Sequence, residues 1–281
     1  MATDRRRLDA ELVRRRLVES RTAAQEAIAG GLVTIDGAPA FKPATQVTAD
    51  QDLVVTAPPR AYVSRGGEKL AHALEVFGVD ASGRHALDAG VSTGGFTDCL
   101  LQHGALRVLA YDVGYGQVHE SIRTDERVVV RERTNVRSLT PDDIPPPPPT
   151  LLVADLSFIS LALVLPGLSG LLADEAEAVV LVKPQFEAER GEVGAGGIVR
   201  DPQVWRRALE RVAAAGATVG WEVAGATVSP LLGSKGNVEF LLHLRPTQLP
   251  GDPEPFLAAA VEEGIARRRG AGTTTATGRH S

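Results

Sequence analysis

Three charged side chains stand within or directly after apolar, strand-like runs of the sequence. They are Asp155 in "VADLSF", Lys183 in "LVKPQF" and Glu239 in "NVEFLL". A charge beside a buried strand costs free energy unless an opposite charge pairs with it. Because the carboxyl ends of parallel strands line one crevice, Asp155 and Lys183 should converge there. A single such residue is best explained as a structural ion pair, but three in successive strands favour a catalytic site.

A glycine-rich turn in "LDAGVSTGGFTDCLL", residues 87–101, indicates a second kind of chemistry. Glycines let a ligand approach the backbone, and the free amides at a helix start favour an anionic group. The glycine spacing is not the G-x-G-x-x-G of dinucleotide-binding proteins, which weakens the case for a dehydrogenase. Asp112, at the end of "LAYD", is placed to bind two ribose hydroxyls. Together these features favour an adenosine-type cofactor.

Apolar runs that alternate with helical stretches must position these residues. The runs are "HALDAG", "RVLAYDVG", "RVVVRERT", "LLVADLSF", "AVVLVKPQ" and "VEFLLHL". Continuous apolar strands separated by helices are typical of a mostly parallel sheet that is covered on both faces. The pattern therefore predicts a doubly wound α/β domain.

The preceding part of the chain is different. Residues 7–57 show two helical patterns followed by short alternating runs, which predicts two helices and a small sheet. Arginines cluster at 5–7, 14–16 and 21, where they could meet phosphates although the net charge of the chain is −5. An arginine cluster taken alone is more commonly a solvated helix face.

Composition restricts the class of protein. A chain of 281 residues exceeds the usual size of one domain, so one large domain and a small one are expected. One cysteine and no zinc-like Cys/His spacing argue against disulfides and a metal site. The N-terminus lacks a signal-peptide core, and no apolar run reaches the ~18 residues of a membrane span. We therefore expect a cytoplasmic protein with no membrane partner.

Longer motifs resemble known families. Residues 7–57, with "SRTAAQEAIAGGLVTIDGAPAFKP", resemble the S4-like RNA-binding module. "STGGF", "VADLSFISL", "LVKPQFE", "RGEVGAGGIVRDP" and "GSKGNVEFLLHL" resemble the TlyA family of ribosomal RNA 2′-O-methyltransferases, whose catalytic domain is similar to FtsJ-type enzymes. The resemblance implies a small α+β S4-like domain before a Rossmann-like class I methyltransferase domain that uses S-adenosylmethionine. The predicted boundaries are 1–59 for the S4-like domain, 60–66 for a linker, 67–268 for the methyltransferase domain and 269–281 for a disordered tail. Gly66 and Gly67 are expected to form a turn before a helix that opens at Glu68.

The resemblance also implies site residues. The family's Lys-Asp-Lys-Glu tetrad falls on Lys69, Asp155, Lys183 and Glu239. A ribose hydroxyl becomes a good nucleophile when its proton is withdrawn, and we assign Lys183 as the base, with Lys69 nearby. The predicted cofactor-binding residues are Asp88, Gly90, Ser92, Thr93, Gly94, Gly95, Phe96, Asp112, Val113 and Asp155. The predicted RNA-binding residues are Arg6, Arg14, Arg15, Arg16, Arg21, Lys42 and Arg65, while Arg60 and Tyr62 are expected to couple the two domains.

The implied activity is 2′-O-methylation of a cytidine ribose in 16S or 23S ribosomal RNA, or in both, by a monomer acting on ribosomal subunits. Two alternatives stay open. One is a catalytically inactive rRNA-binding assembly factor. Replacement of a tetrad residue, or larger residues in place of the loop glycines, would indicate it. The other is a membrane-active haemolysin, a label that this family has carried. The longest apolar stretch, residues 161–172, is too short to span a membrane and contains a proline.

Overall fold

The computed structural model describes residues 5–18, 21–56, 61–189, 191–233, 235–249 and 251–276. The chain divides into two compact units, Met1–Arg60 and Ala61–Ser281. This division falls next to the boundary predicted after residue 59. Arg60, one of the two predicted coupling residues, lies outside the described residues.

The N-terminal unit contains the two predicted helices and short antiparallel strands. Its elements are β1 (Arg6–Arg7), α1 (Leu8–Arg14), α2 (Arg21–Ala29), β2 (Val33–Ile35), β3 (Ala38–Pro39), β4 (Gln46–Val47) and β5 (Leu53–Val55). Strand β1 pairs with β4, and β2 lies between β3 and β5. The two helices pack over a small core that includes Leu8, Leu12, Ile28 and Val33. The prediction of two helices followed by a small sheet is confirmed.

The C-terminal unit is built around a seven-stranded sheet. Its strands are β6 (His85–Ala89), β7 (Arg107–Tyr111), β8 (Val128–Arg131), β9 (Leu151–Ala154), β10 (Glu177–Val182), β11 (Trp221–Val228) and β12 (Phe240–Pro246). Its helices are α3 (Arg65–Phe77), α4 (Gly95–Gln102), α5 (Glu120–Arg123), α6 (Leu161–Ser169), α7 (Pro184–Glu187), α8 (Pro202–Ala217) and α9 (Glu254–Ala276).

The strand order is β11-β12-β10-β9-β6-β7-β8, and the five strands from β10 to β8 run parallel. Strand β12 is antiparallel to both of its neighbours. Separate clusters of buried apolar side chains cover the two faces of the sheet. The predicted doubly wound, mostly parallel architecture is confirmed, whereas β11 was not among the predicted strands.

Helix α3 begins earlier than predicted. Ser64 is its N-cap, and the Ser64 Oγ accepts a hydrogen bond from the Gly66 amide at 3.3 Å. Gly66 and Gly67 are therefore helical and do not form a turn, so the linker ends before residue 65. A Cβ atom at Gly67 would overlap the Tyr62 ring, which explains why a glycine stands inside this helix.

The C-terminal end of the chain also differs from its prediction. Helix α9 continues to Ala276, so the first eight residues of the predicted disordered tail, 269–276, are helical. Residues 277–281 lie outside the described residues.

Candidate active site

The four predicted tetrad residues form two ion pairs, one buried and one half-buried. Lys69 Nζ lies 2.5 Å from Glu239 Oε2, and Lys183 Nζ lies 2.5 Å from Asp155 Oδ1. Lys183 Nζ also donates a hydrogen bond to Ser157 Oγ at 2.9 Å. Each lysine therefore faces a carboxylate, as expected for charges that are largely withdrawn from water.

The two ion pairs adjoin the same cavities. Lys69 and Asp155 both line a cavity of ≈ 230 Å³. Lys183 and Glu239 both line a neighbouring one of ≈ 210 Å³. Four residues from α3, from the ends of β9 and β10, and from just before β12 thus meet around one site, which agrees with the predicted convergence.

The glycine-rich loop between β6 and α4 borders this site. A Cβ atom at Gly90 would lie 2.7 Å from the main-chain oxygen of Asp155, and Gly90 has a φ of +96°. At Gly95, a Cβ atom would overlap Ser64 Oγ and lie 2.8 Å from the Gly67 amide. Only glycine therefore lets this loop approach both β9 and the start of α3.

A larger cavity of ≈ 530 Å³ adjoins the loop, within the usual size range of small-molecule sites. It combines two carboxylates, Asp112 and Asp155, with apolar side chains. Its predicted lining residues are Gly90, Ser92, Asp112, Val113 and Asp155, and sequence reasoning missed Asn135, Leu156, Phe158 and Ile159. The predicted residues Thr93, Gly95 and Phe96 line the cavity next to Lys69 instead.

Asp112 connects the loops around the larger cavity. Its Oδ2 accepts a hydrogen bond from the Ser92 amide at 2.7 Å, and its Oδ1 accepts one from the Gly114 amide at 2.6 Å. Each carboxylate oxygen retains a second lone pair for a ligand hydroxyl. The predicted role in binding a ribose is therefore compatible with this position.

Two predicted cofactor residues lie beneath the loop. Asp88 is fully buried and accepts a hydrogen bond from Thr97 Oγ1 at 2.6 Å, and burial raises its pKa to about 7. Gly94 packs against Ile122, which would lie 2.8 Å from a Cβ atom there. The prediction that Asp88 contacts the cofactor directly does not fit this burial, because its carboxyl group supports α4 from below.

Glu187 links the loops that carry Lys183 and Asp155. Its Oε1 accepts a hydrogen bond from the Leu161 amide at 2.6 Å and its Oε2 accepts one from Ser160 Oγ at 2.5 Å, at the start of α6. Burial raises the pKa of this carboxyl group. Sequence reasoning did not single out Glu187 or Ser157, although both stand inside the quoted motifs "LVKPQFE" and "VADLSFISL".

Tyr62 and its neighbours are fixed within the C-terminal unit. The Val63 amide donates a hydrogen bond to Asp98 Oδ2 at 2.7 Å, and Gln102 Nε2 donates one to the Ala61 oxygen at 2.9 Å. The Tyr62 ring packs against Gly67 and the adjacent apolar cluster. The proposed coupling of RNA binding to the cofactor site through Arg60 and Tyr62 stays a prediction.

The predicted RNA-binding residues of the N-terminal unit differ in their contacts. Arg15 donates to Glu11 and to the main-chain oxygens of Thr48, Ala49 and Gln51, and its side chain is 21% exposed. Arg14 pairs with the buried Glu11, and Arg21 pairs with the buried Asp9. Arg6, Arg16 and Lys42 are exposed. Arg15 thus has a structural role, and the predicted contacts of these residues with RNA stay a prediction.

Comparisons with known proteins agree with this arrangement. Residues 62–246 match the model of the FtsJ-like methyltransferase family, and residues 6–53 match the S4 domain. The chain is 55% identical over 242 residues to a Mycobacterium tuberculosis protein named 16S/23S rRNA (cytidine-2′-O)-methyltransferase TlyA, an alignment that covers 86% of this chain and 90% of the relative. The chain belongs to the TlyA family.

Other proteins similar to this TlyA-family chain carry a different name. A Brachyspira hyodysenteriae protein named Hemolysin A is 39% identical, with 84% of this chain and 98% of that protein aligned. A solved structure from Streptococcus thermophilus, described as a candidate hemolysin, has a TM-score of 0.72 at 38% identity and covers 98% of this chain and 99% of that one. In the described part of this TlyA-family chain, no helix is long and apolar enough to cross a membrane. Those residues also contain no cluster of three or more potential metal ligands.

Proposed function

We propose that this protein transfers a methyl group from S-adenosylmethionine to the 2′-hydroxyl of a cytidine in ribosomal RNA, within 16S or 23S rRNA of ribosomal subunits in the cytoplasm. The observation that carries the proposal is the pair of Lys–carboxylate contacts, Lys69–Glu239 and Lys183–Asp155, beside a glycine-bordered cavity. The M. tuberculosis relative, which is named for this reaction, supports the choice of substrate.

The larger cavity fits S-adenosylmethionine in size and in the kind of groups it offers. Asp112 would hold the ribose hydroxyls, while Val113 and Ile159 offer apolar surface to an adenine ring. The glycine at position 90 lets the loop pack against the backbone of Asp155, so that both residues line the cavity. When bound, S-adenosylmethionine supplies a methyl group that is already activated by its sulfonium.

The chain's own residues must align the ribose hydroxyl and take its proton. In the proposed reaction, Lys183 accepts this proton in its neutral form, and Asp155 then stabilises the resulting ammonium at short range. Ser157 fixes the position of Lys183 Nζ from a second direction. Lys69, held by Glu239, contributes a positive charge near the developing oxyanion.

Two aromatic rings next to Lys183 could receive the target base. Phe158 is 91% exposed, has a positive φ of 64°, and its ring centroid lies 5.3 Å from that of Phe186. Such exposure is unusual for a phenylalanine, and an exposed ring offers a stacking surface for a base that has left its helix.

The decisive experiment is transfer of radiolabelled methyl groups to purified 30S and 50S subunits, with the modified nucleotide mapped by reverse transcription. The proposal expects 2′-O-methylation of a cytidine in at least one subunit. Binding to subunits without transfer would favour an inactive assembly factor. Leakage of liposomes caused by the purified protein, without transfer to RNA, would favour the membrane-active alternative.

A further inference from the structure

Five cations lie on segments that border the active site. They lie at the start of α3, before α8, in the loop before β12 and in α9, and we call them the cationic rim: Arg65, Arg200, Lys235, Arg267 and Arg268. All are exposed except Arg268, which is half-buried. Arg65, Lys235 and Arg267 line the cavities of the site or the adjoining groove, and Arg268 donates a hydrogen bond to the Arg200 oxygen.

Three of these arginines are held by main-chain oxygens and not by carboxylates. Arg65 Nη2 donates to the Leu232 oxygen at 2.7 Å, Arg268 Nη1 donates to the Arg200 oxygen at 2.5 Å, and Arg267 Nη1 donates to the Pro230 oxygen. A carbonyl group orients a guanidinium without cancelling its charge, and the other N–H groups remain available as donors.

Five other arginines of the C-terminal unit are bound differently. Arg84, Arg123, Arg127, Arg206 and Arg245 each pair with a carboxylate. Across the described ranges of the chain, no carboxylate lies within 4.0 Å of a charged nitrogen of any rim residue. Arg65, Arg267 and Arg268 are thus oriented by the main chain while their charges stay unneutralised.

Two rim residues line the cavities that hold the catalytic residues, Arg65 beside Lys69 and Lys235 beside Lys183. Gly233, in the same loop as Lys235, packs so closely on Glu239 that a Cβ atom would lie 2.9 Å from the carboxyl carbon. Leu232 and Arg65 line the cavity that contains Lys69. Leu232 and Arg267 also line a groove of ≈ 690 Å³ that leads away from the site. An extended strand whose nucleotide occupies the active site would therefore pass along the rim.

Two acidic residues near the rim already accept hydrogen bonds from nearby groups. Glu263 lines the groove, and its Oε2 accepts hydrogen bonds from Thr227 Oγ1 at 2.9 Å and from the Val228 amide at 3.0 Å. Asp201, next to Arg200, accepts a hydrogen bond from the Gln203 amide at the start of α8. These carboxylates have local structural roles and do not face the rim cations as ion-pair partners.

We propose that the cationic rim binds backbone phosphates of the RNA strand that flanks the target nucleotide, as a second RNA-binding surface separate from the S4 domain. The inference rests on the proposed function, because it assumes an RNA substrate in the active site. Guanidinium groups with several open N–H donors suit phosphate oxygens, and such contacts set position and affinity without reading sequence.

The test replaces Arg267 and Arg268 together by glutamine in the full-length protein. Binding to the subunit that the wild type methylates is measured at several salt concentrations. Each phosphate contact contributes roughly 0.7 to 0.9 to the slope of log K against log salt, so we expect the loss of two contacts to lower the slope by about 1.4 to 1.8. We expect KM for the subunit to rise about tenfold or more at moderate salt, with little change in kcat or in affinity for S-adenosylmethionine.

A matched control is the double variant Arg206→Gln, Arg245→Gln. It removes the same charge from arginines that are paired with carboxylates, so its salt dependence should equal that of the wild type. The double variant Arg267→Lys, Arg268→Lys keeps the charge and should retain most of the slope. An equal loss in the lysine variant would overturn the proposal, because it would assign these arginines to anchoring the loops.

The outcomes separate this inference from the proposed function. If the wild type methylates neither subunit, the proposed function fails. If the wild type is active and the glutamine variant keeps its salt dependence and KM, only the rim proposal fails. Wild-type binding to phosphatidylglycerol vesicles that is lost in the glutamine variant, with RNA binding unchanged, would assign the rim to an anionic membrane and overturn its role in binding RNA.

Discussion

Lys69 and Glu239 are 170 positions apart in the sequence, and their side chains form a buried ion pair with 2.5 Å between Nζ and Oε2. Lys69 lies in the second turn of α3, at the start of the C-terminal unit, and Glu239 directly precedes β12, near its end. The pair therefore joins the two ends of the catalytic fold at the active site. Both side chains are almost completely buried, so neither charge has water as an alternative partner.

Replacing Glu239 by alanine should destabilise the protein as well as inactivate it. The change leaves the Lys69 ammonium buried and unpaired, which typically costs about 3 to 5 kcal/mol. The double variant Lys69→Met, Glu239→Leu removes both charges and should recover most of the lost stability, but no activity. Urea unfolding and methyl-transfer assays on the single and double variants test this. Methyl transfer by the double variant would show that the Lys69–Glu239 pair is not needed for catalysis.

Replacing Lys183 by alanine should abolish methyl transfer and leave the binding of S-adenosylmethionine intact. The reason is that Lys183 contacts Asp155 and Ser157 beside the proposed hydroxyl position and does not line the larger cavity. General-base catalysis commonly contributes about 10²- to 10⁴-fold, so the loss should be at least of that size. Calorimetric titration with S-adenosylmethionine and single-turnover kinetics measure the two effects.

Ser157→Ala provides a graded comparison for the lysine variant. It removes one hydrogen bond from Lys183 Nζ but leaves the Asp155 partner, so we expect a decrease in kcat of about tenfold at most. Substantial turnover by the Lys183→Ala protein would show that another group accepts the proton.

The buried Asp88 should make the C-terminal unit less stable as pH rises from about 4 to 7. Burial raises its pKa from 3.8 to about 7, so in this range the folded protein binds more protons than the unfolded chain. The free energy of unfolding then falls with pH, by on the order of 4 kcal/mol in total, and levels off above pH 7. Asp88→Asn keeps an acceptor for the Thr97 hydroxyl. Because an amide does not titrate here, this decrease in the free energy of unfolding should be absent from the variant.

Denaturant unfolding of both proteins at several pH values tests the Asp88 prediction. The difference between the two curves isolates Asp88, because other carboxylates contribute equally to both proteins. Glu177 is one of them, since its pKa is lowered to about 2 beside His243 and Arg84 in wild type and variant alike. Parallel curves for the wild type and the variant would contradict a protonated Asp88 in the folded state.

Apolar runs and charged strand ends were readable from the sequence because burial on both faces demands continuous apolar residues. The strands that carry Asp155 and Lys183 were therefore found, as was their convergence at one sheet edge. Strand β11 was missed because Ala224, Gly225 and Ala226 weaken its apolar signal. Its partner β12 buries this strand and supplies the stability that its own sequence does not indicate.

The roles of individual polar residues were harder to predict, because they depend on partners far away in the sequence. Asp88 was expected to face the cofactor, yet the start of α4 covers it and Thr97 binds it. Gly66 and Gly67 were expected to form a turn, but the need for close packing against Tyr62 and Gly95 explains them better. Such requirements of tertiary packing leave no periodic pattern in the sequence.

Arg15 and Arg16 should respond in opposite ways to replacement by alanine. Arg15 makes three hydrogen bonds to main-chain oxygens between residues 48 and 51 and one to Glu11, whereas the Arg16 side chain is exposed. Arg15→Ala removes four hydrogen bonds, three of them part-buried, and should destabilise the N-terminal unit by about 1 to 3 kcal/mol. Arg16→Ala should change stability by less than about 0.5 kcal/mol but should weaken RNA binding and lower its salt slope by about 1.

Hydrogen exchange in the N-terminal unit of the full-length protein reports the stability of both arginine variants, and salt-dependent binding to ribosomal subunits reports their RNA contacts. Because Arg15→Ala also disturbs the surface that presents Arg16, its RNA-binding defect should shrink when an osmolyte stabilises the fold, whereas the defect of Arg16→Ala should persist. A stable Arg15→Ala protein with a reduced salt slope would show that Arg15 contacts RNA directly. An unchanged salt slope for Arg16→Ala would exclude that residue from it.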